Sequence, residues 1–197
     1  MTSGTLVMLH GMTGTTEKMQ PLAERLAPEG WAVLCPQAEI KHPTRGGFAW
    51  WLRAEDPNLP LSAESQSEVD DSMRRVIDEI PDGPIIIGGF SQGGAIASAL
   101  LESELQERIL GLVLIGTLTD RPDARPAALP FLPPREGVWR DGRHDHLVSL
   151  EAANEHAEIF EWARWPVTRL EHEKGHMMNM NQIDELKQAI QRMVDSA

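Results

Sequence analysis

Short apolar runs alternate with amphipathic stretches along this chain. The runs at 5–10 (T-L-V-M-L-H), 31–35 (W-A-V-L-C), 84–90 (P-I-I-I-G-G-F) and 109–117 (I-L-G-L-V-L-I-G-T) are brief and almost continuously apolar. Strands buried on both faces read this way, because neither side of the pleat meets water. Between them, apolar positions recur at helical spacing. Met19, Leu22, Ala23 and Leu26 mark a helix over 17–27, and Val69, Met73, Val76, Ile77 and Ile80 mark one over 63–80. The segment 95–105 is small and apolar. Residues 150–162 and 182–194 read as two late helices around a short strand, P-V-T-R-L, at 166–170. This alternation predicts a three-layer α/β fold: a mostly parallel sheet of about six strands with helices on both faces. No repeat or low-complexity tract interrupts it.

Two stretches break the pattern. Residues 36–62 hold Pro36, Pro43, Pro57 and Pro60 with Gly46 and Gly47, and residues 118–136 hold Pro122, Pro126, Pro130, Pro133 and Pro134. Proline at this density excludes regular helix and central strand. Long loops in a domain of this size are usually functional or mobile. For 118–136 a surface insertion and a functional loop both stay open. For 36–62 the apolar Phe48, Trp50 and Trp51 favour a packed loop.

Length and composition narrow the class. The 197 residues fit one domain, 1–197, able to bury roughly 70% of its unfolded surface. The formal charge of −12 argues against phosphate-backbone binding and so against a nucleic-acid partner. It also discourages strongly anionic substrates. Cys35 is the single cysteine, which excludes an internal disulfide or a multi-cysteine zinc site, and it reads as a small buried hydrophobe. No apolar run nears the ~20 residues of a membrane span. The N-terminal segment lacks a basic start and an A-x-A cleavage site. A cytoplasmic protein without a membrane partner is expected.

The strongest chemical signal is Gly89-Phe90-Ser91-Gln92-Gly93-Gly94, between a buried strand and a small-residue helix. G-x-S-x-G in that context is a nucleophile elbow, with the serine on a sharp turn. The two glycines let strand and helix approach, and the helix N-terminus favours negative charge nearby.

A serine hydroxyl needs a base, and the base an orienting acid. The expected chain order is serine, acid, histidine. His172 and His176 both follow the 166–170 strand; His176, preceded by Gly175, is favoured and His172 is the fallback. His156 falls within a helix and reads as packing. Asp145 stands in Gly142-Arg143-His144-Asp145-His146-Leu147-Val148, a Gly-x-x-Asp-x-x-Val loop. The preceding 138–141 is a poor strand by composition, which makes Asp141 the rival acid. The His144-Asp145-His146 run lacks a second ligand cluster, so no metal is expected. Gln92, after the serine, and Met12, in the Gly-rich loop after the first strand, are the natural backbone donors for an oxyanion. Trp50, Trp51 and Met177, with Phe48 and Met178, are candidates to line an apolar acyl pocket; core packing is the competing role.

Together these motifs resemble the α/β-hydrolase superfamily, and the G-F-S-Q-G-G elbow most resembles the phospholipase/carboxylesterase family that includes acyl-protein thioesterases. The resemblance spans nearly the whole chain. It implies a triad of Ser91, Asp145 and His176, an oxyanion hole of Met12 and Gln92, and cofactor-free hydrolysis of carboxylic or thioester bonds in a small-molecule substrate. The chain opens directly on the Leu-His-Gly strand, the 118–136 stretch replaces pocket-covering structure, and His146 stands where a small residue or proline is common. These departures bear on the substrate. Little room is left for a lid, which favours small or medium esters. Carbon–carbon or lactone cleavage on the same triad, and a non-catalytic binding protein, are the competing readings.

Overall fold

A computed structural model describes residues 3–52, 61–118, 128–181 and 183–196. Six parallel strands form the sheet, in the order β2-β1-β5-β6-β7-β8. They are β1 (Thr5–Leu9), β2 (Ala32–Leu34), β5 (Ile85–Phe90), β6 (Ile109–Ile115), β7 (Glu136–Gly142) and β8 (Val167–His172). β3 (Ile40–Lys41) and β4 (Phe48–Ala49) pair as a small antiparallel hairpin. The long helices are α1 (Thr16–Leu26), α2 (Ala63–Glu79), α3 (Gln92–Ala99), α4 (Leu150–Trp162) and α5 (Ile183–Asp195).

The continuous apolar runs are explained by two cores. Along β1, Leu6 and Met8 point to one face and Val7 and Leu9 to the other, all fully buried. The first face packs Met19, Leu22 and Leu26 of α1 and Leu186, Ile190 and Met193 of α5. The second packs Val69 and Val76 of α2, Ile96 of α3, and Ala157 and Phe160 of α4. A strand sandwiched between helix layers has no polar side, so period-2 alternation disappears.

From β1 the chain steps outward to β2, then returns to β5 on the other side of β1. Strand order therefore reverses at the β1–β5 boundary. Loops leaving the carboxyl ends of these two strands diverge to opposite faces and leave a crevice, the usual place for a ligand in such sheets.

The sequence expectations meet two differences. Residues 136–142, read as poor strand material, form a seven-residue strand inside the sheet. Arg140 and Trp139 find their surroundings only in the assembled fold. The guanidinium of Arg140 donates to the Asn181 carbonyl, and Trp139 packs against Phe160 with ring centroids 4.8 Å apart. The helix expected over 95–105 begins three residues earlier and ends at Ala99, passing into short 3₁₀ turns. The proline-rich stretches are partly described. Phe48, Trp50 and Trp51 pack against or within the second core, and Leu129–Phe131 forms one 3₁₀ turn before β7. Residues 53–60 and 119–127, within those stretches, lie outside the described residues. Among the described residues no helix is long and apolar enough to cross a membrane.

Candidate active site

Ser91 sits between β5 and α3 with φ 53° and ψ −121°. A non-glycine residue at positive φ outside a relaxed turn is strained, of order 1–3 kcal/mol, and persists only where its surroundings hold it. They do so from both sides. Ser91 N–H donates to the Ile115 carbonyl at 2.9 Å, and Thr117 Oγ1 donates to the Ser91 carbonyl at 2.6 Å. The flanking glycines are required by close approach. A Cβ on Gly89 would stand 2.4 Å from the Gly93 carbonyl carbon, and one on Gly93 would stand 2.2 Å from the Leu9 carbonyl oxygen.

Three loops bring the other candidates to this turn. His176 Nε2 lies 3.0 Å from Ser91 Oγ, and His176 Nδ1 lies 2.7 Å from Asp145 Oδ2. The Asp145 side chain is 2% exposed and that of His176 16%. The other carboxylate oxygen, Oδ1, accepts the N–H groups of Leu147 at 2.8 Å and Val148 at 2.9 Å. The Gly-x-x-Asp-x-x-Val loop thus folds back onto its own aspartate, leaving one oxygen for the imidazole. Backbone bonds from Arg143 N–H to the His172 carbonyl and from His144 N–H to the Lys174 carbonyl stitch this loop to the one carrying His176. Phe90 lies beside the imidazole at a centroid distance of 4.7 Å.

The loop after β1 is held by its own histidine. His10 Nε2 faces the amide nitrogen of Gln37 at 2.9 Å and accepts the Ala38 N–H at 3.2 Å, so its proton sits on Nδ1, directed to the Gly11 carbonyl at 2.8 Å. Burial pushes the His10 pKa down, consistent with a neutral ring used as a brace. Among the described residues, neither the Met12 nor the Gln92 backbone N–H meets a hydrogen-bond acceptor.

Trp50 and Trp51, candidates for a pocket lining, are 2% and 4% exposed and belong to the second core. They offer a ligand almost no surface, because burying two indoles outweighs lining a wet crevice. Trp50 acts as a strut. Its ring N–H donates to the His10 carbonyl at 2.7 Å, while the Gln92 side chain accepts Trp50 N–H at 3.1 Å and donates to the Trp51 carbonyl at 2.8 Å. Met177 is 47% exposed beside His176. His172 ends β8 buried, accepting Lys174 N–H at 3.1 Å, and makes no hydrogen bond to Ser91 or Asp145. His156 is buried against Trp139 and Phe160. Sequence reasoning missed the bracing roles of His10, Gln37 and Thr117. The Leu-His-Gly motif was the available signal for the first; nothing local marked the other two.

Asp141, the rival acid, is 6% exposed on β7, opposite Glu171 in the register. Its Oδ1 has no partner among the described residues. Burial pushes its pKa up to about 7, helped by the neighbouring Asp145 carboxylate, with the Gly116 backbone N–H pulling the other way. The folded state therefore holds this proton more tightly than the unfolded chain. Its stabilising effect is complete below the ordinary pKa of 3.8 and is lost as pH rises through about 7. Asp141→Asn, which is isosteric and stays neutral, should flatten this slope. At pH 8 the variant should be more stable than the parent by roughly 3–4 kcal/mol, with the difference shrinking toward pH 4. Urea unfolding across pH 4–9 checks this; parallel profiles for the two proteins would exclude a buried proton at Asp141.

A parallel sheet with a strained serine at its switch point, hydrogen-bonded to a histidine and through it to an aspartate, defines an α/β protein of hydrolase type. The chain belongs to the α/β-hydrolase family: the model of the alpha/beta hydrolase fold matches residues 4–141. No curated protein sequence matches significantly. Solved structures with the same fold include Zea mays acyl-protein thioesterase 2 (TM-score 0.72, 20% identity, 98% of this chain and 94% of that one). Another is the Bacillus cereus carboxylesterase (TM-score 0.75, 20% identity, 97% and 89%). Arabidopsis thaliana SOBER1 is similar over 98% of this chain and 99% of its own, at TM-score 0.72 and 18% identity.

Proposed function

We propose that this chain is a serine carboxylesterase that cleaves small to medium carboxylic esters or thioesters through an acyl-enzyme. The observation that carries the reading is the relay of 3.0 Å from Ser91 Oγ to His176 Nε2 and 2.7 Å from His176 Nδ1 to Asp145 Oδ2. Ser91 Oγ attacks the carbonyl carbon while His176 Nε2 takes its proton. Asp145, fixed by two backbone donors, keeps the second ring proton on Nδ1 and stabilises the imidazolium. The Met12 and Gln92 N–H groups, at a loop and at the start of α3, receive the developing oxyanion. The leaving alcohol or thiol departs with the proton from His176. Water, activated by the same nitrogen, then releases the acid and restores Ser91. No metal or cofactor is required by these steps. The thioesterase and carboxylesterase among the structural neighbours point to the same chemistry.

The test is stoichiometric labelling by a fluorophosphonate, with the adduct located by mass spectrometry, alongside turnover of 4-nitrophenyl butyrate, a thioester and a lactone. One adduct per chain at Ser91 with ester or thioester turnover is expected. A folded sample that neither labels nor turns over any of the three would sink the proposal.

A further inference from the structure

The chain carries 30 acidic against 18 basic residues, yet residues 40–52 contain Lys41, His42 and Arg45 and no acid. The fold brings this basic stretch to the rim of the site. Thr13 N–H donates to the Phe48 carbonyl at 2.8 Å, and Phe48 N–H donates to the Gly14 carbonyl at 3.1 Å. The β3–β4 hairpin is thereby joined to the Met12 loop. A Cβ on Gly47 would lie 2.2 Å from the Thr13 carbonyl oxygen, so glycine permits the approach. From the exposed turn of the hairpin, Arg45 Nη2 reaches within 3.9 Å of Met12 Sδ. Among the described residues Arg45 has no acidic partner.

The hydrogen bonding at His42 is unbalanced. Its Nδ1 lies 3.4 Å from the Thr44 N–H nitrogen and 3.2 Å from that of Arg45, and its Nε2 lies 3.2 Å from Arg45 Nη2. Donors therefore approach both ring nitrogens, and one of those nitrogens always carries a proton of its own. With the proton on Nδ1, the ring N–H faces two backbone N–H groups. With the proton on Nε2, it faces a guanidinium. Either way the contact within the chain sets donor against donor, and at this exposed turn the remaining N–H groups face solvent. The second arrangement leaves Nε2–H and the Arg45 fork as neighbouring donors beside the Met12 loop. A carboxylate, with two oxygens and one negative charge, satisfies both.

We infer that Arg45 and His42 form a carboxylate seat at the rim of the site, selecting esters that carry a free carboxylate a few atoms from the scissile carbonyl. This rests on the hydrolase reading for its substrate, though not for the binding itself. It also reverses locally what the overall charge of −12 suggests about anionic substrates. The field at a crevice is set by the charges nearest to it, since more distant ones are screened within roughly 8 Å at physiological salt.

The experiment compares kcat/KM for 4-nitrophenyl hydrogen glutarate and 4-nitrophenyl butyrate in the parent and in Arg45→Ala, and measures calorimetrically the binding of glutarate and of inorganic phosphate to both. The glutarate-to-butyrate preference should fall about two- to fivefold in the variant, as expected for loss of one solvent-exposed ion pair. Glutarate affinity should fall by a similar factor, and phosphate should bind the parent more weakly than glutarate. An unchanged preference with unchanged glutarate affinity overturns the seat while leaving the hydrolase reading intact. Phosphate binding as tightly as glutarate overturns the carboxylate assignment. Arg45-dependent glutarate binding in a protein that turns over neither ester keeps the seat and removes the hydrolase.

Discussion

Ser91→Ala should lower kcat for 4-nitrophenyl butyrate by about 10⁴–10⁶ while the protein stays folded. The size follows from what is lost. Without Oγ there is no acyl-enzyme, and the residual rate depends on the oxyanion donors and on water reaching the carbonyl. Stability should change by less than about 1 kcal/mol. Alanine meets the same backbone strain at φ 53°, and the Gly89 and Gly93 contacts that shape the turn are untouched. The His176 nitrogen left behind is not sealed from solvent, since its side chain is 16% exposed, so water can replace the hydroxyl. Steady-state kinetics with a thermal melt decide the matter. A variant retaining parental turnover would mean that the nucleophile lies elsewhere.

Asp145→Asn should cost about 10⁴ in kcat at neutral pH. The carboxylate has two jobs, and asparagine keeps only one. Its carbonyl oxygen can still accept the Leu147 and Val148 N–H groups, so the loop holds its shape. Its amide then faces His176 Nδ1, 2.7 Å away in the parent, with donors in place of an acceptor. That forces the ring proton onto Nε2, the nitrogen that must receive the proton of Ser91. Asp141→Asn supplies the contrast. Asp141 makes no hydrogen bond to His176 among the described residues, so its replacement should leave kcat within about threefold of the parent at pH 7. Kinetics of both variants at pH 7 assign the acid; the reverse ranking would move the role to Asp141.

The layered α/β fold was legible in the chain because it depends on local pattern. Buried parallel strands must be apolar on both faces, so the runs at 5–10, 84–90 and 109–117 announce β1, β5 and β6 within two residues of their ends. The amphipathic helices α1, α2, α4 and α5 follow from spacing alone. The elbow was equally readable, since Gly89 and Gly93 flank a serine between a strand and a helix. β7 was not, because a strand tolerates a buried Arg140 only when another part of the chain receives it, and a buried Asp141 only when it keeps its proton. Arg140 needs the Asn181 carbonyl, 41 residues away. The roles of Trp50 and Trp51 were undecidable for the same reason: an indole lines a pocket or fills a core according to what packs against it. Here the Gln92 side chain binds the backbone of both residues, and the His10 carbonyl accepts the Trp50 ring N–H.

Sequence by itself determined the strands, the main helices, the sharp turn at Ser91 and the chain order of serine, aspartate and histidine. Tertiary structure decided which histidine reaches the hydroxyl, which carboxylate reaches that histidine, and that a basic hairpin stands over Met12. Periodicity and turn chemistry act over a few neighbouring residues and leave a local imprint. Convergence of loops 31 and 85 residues apart depends on strand order and register, which no local segment encodes.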